Sequence, residues 1–372
     1  MTIKRRGEVL KISFSAFFAD LGYQAAVASF PIIFVFYFHA PIFLYGIAEA
    51  LNYGGGSLMS ILGGYLADKY GRKLIAVIGN ALIIILSFTG LAVNYIEALF
   101  LFMFGWWFRN FRTPARRAML SEVTEESERK EAYGILHALD IAGATLAVAY
   151  LSIALYFGIK ATEILIFTSI PLIISTLFLV FVRAGGKGIP RKPSKVALTI
   201  VISTMFFAFT QYSFGFPIIT TEEFTRKFYL ATLTYGVFLA SSSLFGYIFG
   251  KIKLEEFKGL AFLGYLLAGF TSFGFAFLSP LGIISIYPLS IIMGIAVAST
   301  ETFEPTIISK LSRGETGTAM GALSFGRSIG VLIGNSIMGF LYQYSYFYSY
   351  IFAGTMGIIA FLIVFTVLLN KG

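Results

Sequence analysis

The chain has 372 residues, of which 57% are hydrophobic and 13% charged, against about 25% charged in an ordinary soluble domain, so a soluble fold is left without a surface. A net charge of +9 spread over short segments is not the basic face that phosphate needs, which excludes a nucleic-acid partner. No cysteine is present, so disulfides, thiolate metal sites and thiol nucleophiles are excluded, and two histidines, His39 and His137, leave little for a histidine metal site.

The mean hydropathy is +0.82, and apolar windows of about 20 residues recur from end to end, each long enough to cross a hydrocarbon core of roughly 30 Å. The 41 Phe and 21 Tyr suit lipid contact and interfacial belts. These features predict an all-α integral membrane protein. The start, "MTIKRRGEVLKISFSAFFADLGYQAAVASF", has the basic beginning and the small-residue Ala26-Val27-Ala28 of a signal peptide. Asp20 interrupts the apolar region, however, and the run continues through "PIIFVFYF", which predicts an uncleaved first helix.

Windows bounded by charges, Gly or Pro predict twelve spans, at roughly 9–37, 41–67, 73–94, 96–118, 131–157, 161–183, 196–220, 229–250, 259–278, 282–309, 317–342 and 346–369. Their connections alternate in charge. "DKYGRK", "RRAMLSEVTEESERKE", "RAGGKGIPRKPSK", "KIKLEEFKG" and "SKLSRGETG" share a side with the N-terminal "KRR". Of the 28 Lys and Arg, only Lys160, Arg226 and Lys227 fall on the other side, which predicts cytoplasmic termini in the cell membrane. The Gly-, Pro- and Lys-rich connection near the chain midpoint reads as a linker, 184–195, between six-helix bundles at 1–183 and 196–372. The halves echo one another: "GYLADKYGRKLIAVIG" faces "GYIFGKIKLEEFKGLAFLG", and "GILHALDIAGATLA" faces "GALSFGRSIGVLIG", as parallel six-helix repeats would.

The stretch Gly64-Tyr65-Leu66-Ala67-Asp68-Lys69-Tyr70-Gly71-Arg72-Lys73 lies between predicted helices 2 and 3. It is similar to the loop signature Gly-x-Leu-Ala-Asp-Arg-x-Gly-Arg-Lys of the major facilitator superfamily, with Lys69 the one departure. Helix count, linker and repeat extend the resemblance over the whole chain. It implies two pseudo-symmetric six-helix bundles and a secondary transporter working by alternating access. "FFADLGYQ", "RTPARRAML" and "HALDIAGA" are also similar to a prokaryotic branch of the superfamily, with Gln24, Arg117 and His137 standing where that branch has Glu, Asp and Arg.

Gly64, Asp68, Gly71, Arg72 and Lys73 form the candidate gating motif. Gly63 and Gly64 permit close helix approach and Gly71 a tight turn. Asp68, set against the negative pole of its own helix, needs Arg72, Lys73 or a neighbouring helix N-terminus. The resemblance implies that the neighbour is helix 11, beginning near "GETGTAM", and that the motif latches the halves; an ordinary positive-inside loop is the alternative. The matching loop of the second half has Gly250 in place of Asp68.

Ionisable groups within spans cost about 2.5–3.5 kcal/mol on insertion scales, so each is a candidate site. Depth places Arg109 and Arg112 of helix 4 with Asp140 of helix 5, and Glu301 and Glu304 of helix 10 with Arg327 of helix 11. These are buried ion pairs that fix register, or parts of the transport path. Asp20 and Glu49 have no equally obvious cation at matching depth and are the candidates for proton coupling. Gln24, Asn52, His137, Gln211 and Asn335 are candidate polar contacts in a central cavity, and Pro114 and Pro305 fall where a kink could act as a gate.

No phosphate-binding Gly-x-x-x-x-Gly-Lys-Ser/Thr run is present, so energy would come from a gradient or from the solute itself. A membrane-embedded enzyme would need a catalytic cluster that neither histidine supplies, and a scaffold protein would carry a soluble domain. The expectation is therefore a transporter, with no cofactor and no metal, moving a small organic solute. Proton-coupled export is the preferred mode; uptake symport or facilitated passage of an organic anion through Arg109 and Arg112 is the alternative. Its other partners would be protons and the lipid bilayer, and it would work as a monomer.

Overall fold

In hydrocarbon every backbone N–H and C=O must find its partner within the chain, and long apolar runs do so as α-helices. A computed structural model gives the fold, describing residues 5–125, 128–184, 186, 212–252, 254–311 and 316–369. Helix α1 runs Arg6–Tyr37, α2 Ile42–Tyr70, α3 Arg72–Leu91, α4 Tyr95–Glu122, α5 Arg129–Tyr156 and α6 Ala161–Val180. Beyond the midpoint, α7 is Gly215–Thr225, α8 Phe228–Lys251, α9 Glu256–Leu281, α10 Ile283–Leu311, α11 Thr316–Tyr342 and α12 Tyr346–Leu369. Eight of these are long and apolar enough to cross a membrane among the described residues. Most of the predicted linker, 184–195, and the first part of predicted helix 7, with Gln211, lie outside the described residues.

Local chemistry sets the boundaries. A single residue, Gly71, separates α2 from α3, with φ 120° and ψ 131°, a conformation that a side chain would strain. Asn94 caps α4: its side chain accepts from the backbone N–H groups of Ile96 and Glu97, each at 3.0 Å, while the Glu97 carboxylate accepts from Val93 N–H at 3.1 Å. Donors left open at a helix start are thereby satisfied, and an acid stands in the positive first turn. In α1 a widened π-helical stretch, Ile32–Tyr37, follows Pro31, whose ring cannot donate to the ladder.

The helices gather into two units, Met1–His39 with Gly55–Lys192, and Ala40–Gly54 with Pro193–Gly372. The boundary in α2 falls inside Gly54-Gly55-Gly56. A Cβ on Gly54 would meet Leu332 of α11, whereas a Cβ on Gly55 or Gly56 would meet Trp107 or Asn110 of α4. Within the first unit α1 packs on α5 where Gly143 approaches the Phe17 carbonyl, and on α6 where Gly22 meets Leu172. Small residues let membrane helices approach in this way without a hydrophobic driving force. Val9, Ile12, Phe111, Met119, Leu136 and Leu179 fill the core of that unit. In the second unit Gly46 of α2 and Gly339 of α11 bring their backbones together, and Phe249, Leu260, Tyr265, Phe303 and Ile307 form a core. Large apolar side chains such as Phe277 and Ile284, 62% and 80% exposed, form the lipid-facing surface.

The charge asymmetry predicts which connections face outward. In a chain without cysteine, Lys160→Cys and Tyr344→Cys, both at exposed positions, are expected to react with an impermeant thiol reagent on intact cells. Glu255→Cys and Lys258→Cys are expected to react only after permeabilisation. The opposite labelling pattern would reverse the assigned orientation.

Candidate functional site

Helix α1 presents Asp20, Tyr23 and Gln24 at a spacing of three and four, on one face. Asp20 is 4% exposed. Its Oδ1 accepts from the Tyr23 hydroxyl and from Gln24 Nε2, the latter at 3.3 Å, and Oδ2 has no hydrogen-bond partner. From α4, the Arg109 guanidinium lies 5.4 Å from the Tyr23 ring centroid and 4.9 Å from that of Trp106, and Nη2 donates to the Tyr23 oxygen at 3.5 Å. Asp20 therefore does have a cation near it, contrary to the expectation from sequence. Arg109 reaches across from another helix and stands one phenol away, a relation that depth counting along α1 does not see.

Asp140 pairs with Arg116, Nη2 to Oδ1 at 3.5 Å, and not with Arg109 or Arg112. Helical phase does not separate the three arginines, which follow one another at spacings of three and four along one side of α4; their partners do, since Asp140 lies by Arg116 while Arg112 is taken up by Asn80. Arg112 is fully buried, with Nη1 donating to Asn80 Oδ1 at 2.6 Å. Asn80 Nδ2 donates to Ser175 Oγ at 3.0 Å and Thr176 Oγ1 at 2.8 Å, and Ser175 Oγ donates to the Ser15 carbonyl at 2.6 Å. This polar chain ties α4, α3, α6 and α1 inside the first unit.

In the second unit Arg327 of α11 meets both predicted acids of α10. Nη1 is 2.7 Å from Glu301 Oε1, while Nε and Nη2 stand 2.7 and 2.5 Å from Glu304 Oε2. Nη2 also donates to the Thr300 carbonyl at 3.3 Å, and the Tyr265 hydroxyl of α9 bonds Glu304. The two acids differ in surroundings: the Glu304 side chain is 6% exposed and that of Glu301 57%.

Glu49 and Asn52 of α2 are buried together, with Asn52 Nδ2 donating to Glu49 Oε1 at 3.1 Å. Asn335 of α11 accepts at Oδ1 from Ser213 N–H at 2.8 Å. His137 lies on an exposed face of α5. Sequence reasoning passed over Tyr23, Asn80, Arg116, Ser213 and Tyr265. Asn80, a lone polar residue in "IAVIGNALIII", was the most visible signal; Arg116 was hidden by counting it as part of a loop.

The candidate gating motif is bonded within its own unit. Arg72 reaches Asp68 Oδ1 and Glu122 Oε2, each at 3.5 Å. The Arg72 backbone N–H donates to the Gly186 carbonyl at 3.2 Å, and Gly186 N–H donates to both Glu122 oxygens, at 3.2 and 3.1 Å. A Cβ on Gly64 would rest in ordinary contact with Pro114, and Lys73 is partly exposed. The predicted partner of Asp68, the stretch "GETGTAM", lies outside the described residues in its loop and in its side chains.

Long apolar helices enclosing charged side chains define an integral membrane protein. Among the described residues no His, Cys, Asp or Glu group is placed to hold a metal ion. The sequence profile of the Major Facilitator Superfamily matches residues 12–327, and the chain belongs to that superfamily. It is a multi-pass membrane transporter with the fold of that family. No curated protein matches the chain by sequence. Among solved structures, a peptide transporter POT in complex with sulfate is 14% identical with a TM-score of 0.79, covering 98% of this chain and 95% of that one. The nucleoside transporter NupG is 14% identical with a TM-score of 0.75, covering 96% and 99%. A bacterial homolog of the human lysosomal transporter Spinster, inward-facing and occupied, is 16% identical with a TM-score of 0.70, covering 97% and 96%.

The two acids on Arg327 separate experimentally. Glu304→Ala leaves Arg327 Nε and the Tyr265 hydroxyl without their acceptor while Glu301 still holds Nη1, and is expected to destabilise by about 2–3 kcal/mol. Glu301→Ala is expected to cost no more than about 1 kcal/mol. Thermal unfolding of the purified variants checks the ordering, and equal midpoints would refute it.

Proposed function

We propose that the protein exports a small organic solute by alternating access, driven by inward return of protons through Asp20. The carrying observation is the Asp20–Tyr23–Arg109 group: a buried carboxyl with one unbonded oxygen, joined through a phenol to a cation that is itself partly exposed. A proton and a cationic or hydrogen-bond-donating group of the solute can each take the open Asp20 oxygen, but not both at once. Solute binding and proton binding then compete, which is the logic of exchange. The structural neighbours named for nucleosides and peptides support the solute being small and organic. The aromatic lining around Arg109, Trp106 and Tyr23, supports an amphipathic one. In this reading the protein is a monomer in the plasma membrane with both termini in the cytoplasm, and Asp68 belongs to a latch needed in one conformational state.

The arginine excess of the first unit favours a second reading, uptake or facilitated passage of an organic anion. Arg109 would be its contact, since Arg112 is fully buried and bonded to Asn80.

Proteoliposomes under an imposed pH gradient, screened over solute classes, test the proposal. Asp20→Asn is expected to abolish gradient-driven transport while leaving solute exchange partly intact, because the amide keeps the volume and the Tyr23 contact but carries no exchangeable proton. Concentrative transport by Asp20→Asn with an unchanged pH profile would place the proton site elsewhere. For the latch, Asp68→Asn is expected to fold and insert normally but to transport more slowly, while Gly250→Ala, where a Cβ meets nothing within 4 Å, is expected to be silent. Normal transport by Asp68→Asn would reduce the motif to a topogenic loop.

A further inference from the structure

Helix α7 begins at Gly215, inside a stretch the sequence reads as one continuous span over 196–220, and Tyr212 to Phe214 are not helical. These three residues are bonded in place. Ser213 N–H gives its hydrogen bond to Asn335 Oδ1 of α11 at 2.8 Å, and Ser213 Oγ accepts from Gly215 N–H at 3.2 Å. The Tyr45 hydroxyl of α2 stands 3.5 Å from Ser213 Oγ, against Gly215, where any Cβ would collide with it. The Glu49 carboxyl, which accepts from Asn52, lies beside the Ser213 hydroxyl.

Glu49, Asn52, Ser213 and Tyr45 thus converge within the second unit, and each is less than a tenth exposed. Among the described residues no ion pair reaches Glu49, in contrast to Asp140, Glu301 and Glu304. The fully buried Asn52 leaves Oδ1 without a hydrogen-bond partner. The group therefore offers hard oxygens, one formal negative charge and no cationic side chain. That is the donor chemistry of an alkali-metal cation; a divalent ion would demand more carboxylates.

We propose that Glu49, Asn52, Ser213 and Tyr45 form a binding site for a monovalent alkali cation, with sodium, the smaller and harder of the two abundant ions, as its occupant. Glu49 supplies the charge. Half a turn of the Asn52 amide exchanges its N–H for Oδ1 on the carboxylate side, and the two hydroxyls complete the set while donating their protons outward. The site is separate from the Asp20 group, so it stands or falls independently of proton coupling there.

The test measures thermal unfolding of the purified full-length protein by tryptophan fluorescence, with sodium chloride replacing choline chloride at constant ionic strength. A ligand that binds only the folded state raises the midpoint saturably. The expected result is a saturable rise with sodium, a smaller one with potassium and none with choline. Glu49→Gln and Asn52→Leu are expected to remove the dependence, and Asp20→Asn to keep it. Ser213→Ala, the mildest change, is expected to raise the half-saturating sodium concentration by about tenfold, as loss of one supporting oxygen does. It serves as the reporter if the other two variants do not fold. Identical midpoints in sodium, potassium and choline would overturn the proposal, and so would a sodium effect undiminished in Ser213→Ala and in whichever of the other variants folds.

Discussion

Removing a charged side chain from water costs several kcal/mol even after the protein relaxes around it, and the interior of both units is arranged around that cost. The two units meet it differently. In the second, Arg327 is enclosed by two carboxylates, a carbonyl and, through Glu304, a phenol, so its charge is bonded in every direction. In the first, three arginines share two aspartates. Arg116 has Asp140, Arg109 lies over aromatic rings within reach of Tyr23, and Arg112 has a neutral amide. A bonded triad resists change; a group with more cations than acids, and with open nitrogens on Arg109, Arg112 and Arg116, has alternatives available. The asymmetry is one of satisfaction: the first unit carries guanidinium nitrogens without partners, and the second a closed set of bonds.

Much of the architecture was legible because hydrocarbon imposes length and composition so strictly. The predicted span at 229–250 and the helix Phe228–Lys251 differ by a residue at each end, and 346–369 coincides with Tyr346–Leu369. Gly71 was recognisable as a turn since no other residue adopts its backbone freely. The site was less legible. Depth along a helix follows from counting, which brought Glu301, Glu304 and Arg327 to one level. Reach does not, which is why Arg112 was set against Asp140 when Asn80 of a different helix takes its guanidinium and Arg116, one turn on, takes the aspartate. The non-helical residues Tyr212–Phe214 left no trace in an apolar run, and the group that accepts the Ser213 N–H, Asn335, lies more than 100 residues away.

Helix α2 shows how one element can be divided by its packing and not by its sequence. Its glycines at 54, 55 and 56 look alike as letters, yet the first lies under Leu332 and the next two under Trp107 and Asn110. Where the side chain is a single hydrogen, the helix can change neighbours within one residue, and the polar residues before that point, Tyr45, Glu49 and Asn52, are consequently committed to a different set of partners from Asp68 after it.

The hold of Arg72 and Glu122 on Gly186 extends the first unit beyond its last helix. Helix α6 ends at Val180, but Gly186, six residues on, is still fastened to α3 and α4. At roughly 3.3–3.6 Å per extended residue, six residues can reach about 20 Å. The loop signature thus acts as a cleat: a carboxylate on α4 and the arginine that follows Gly71 catch backbone well past the end of the helix that carries it.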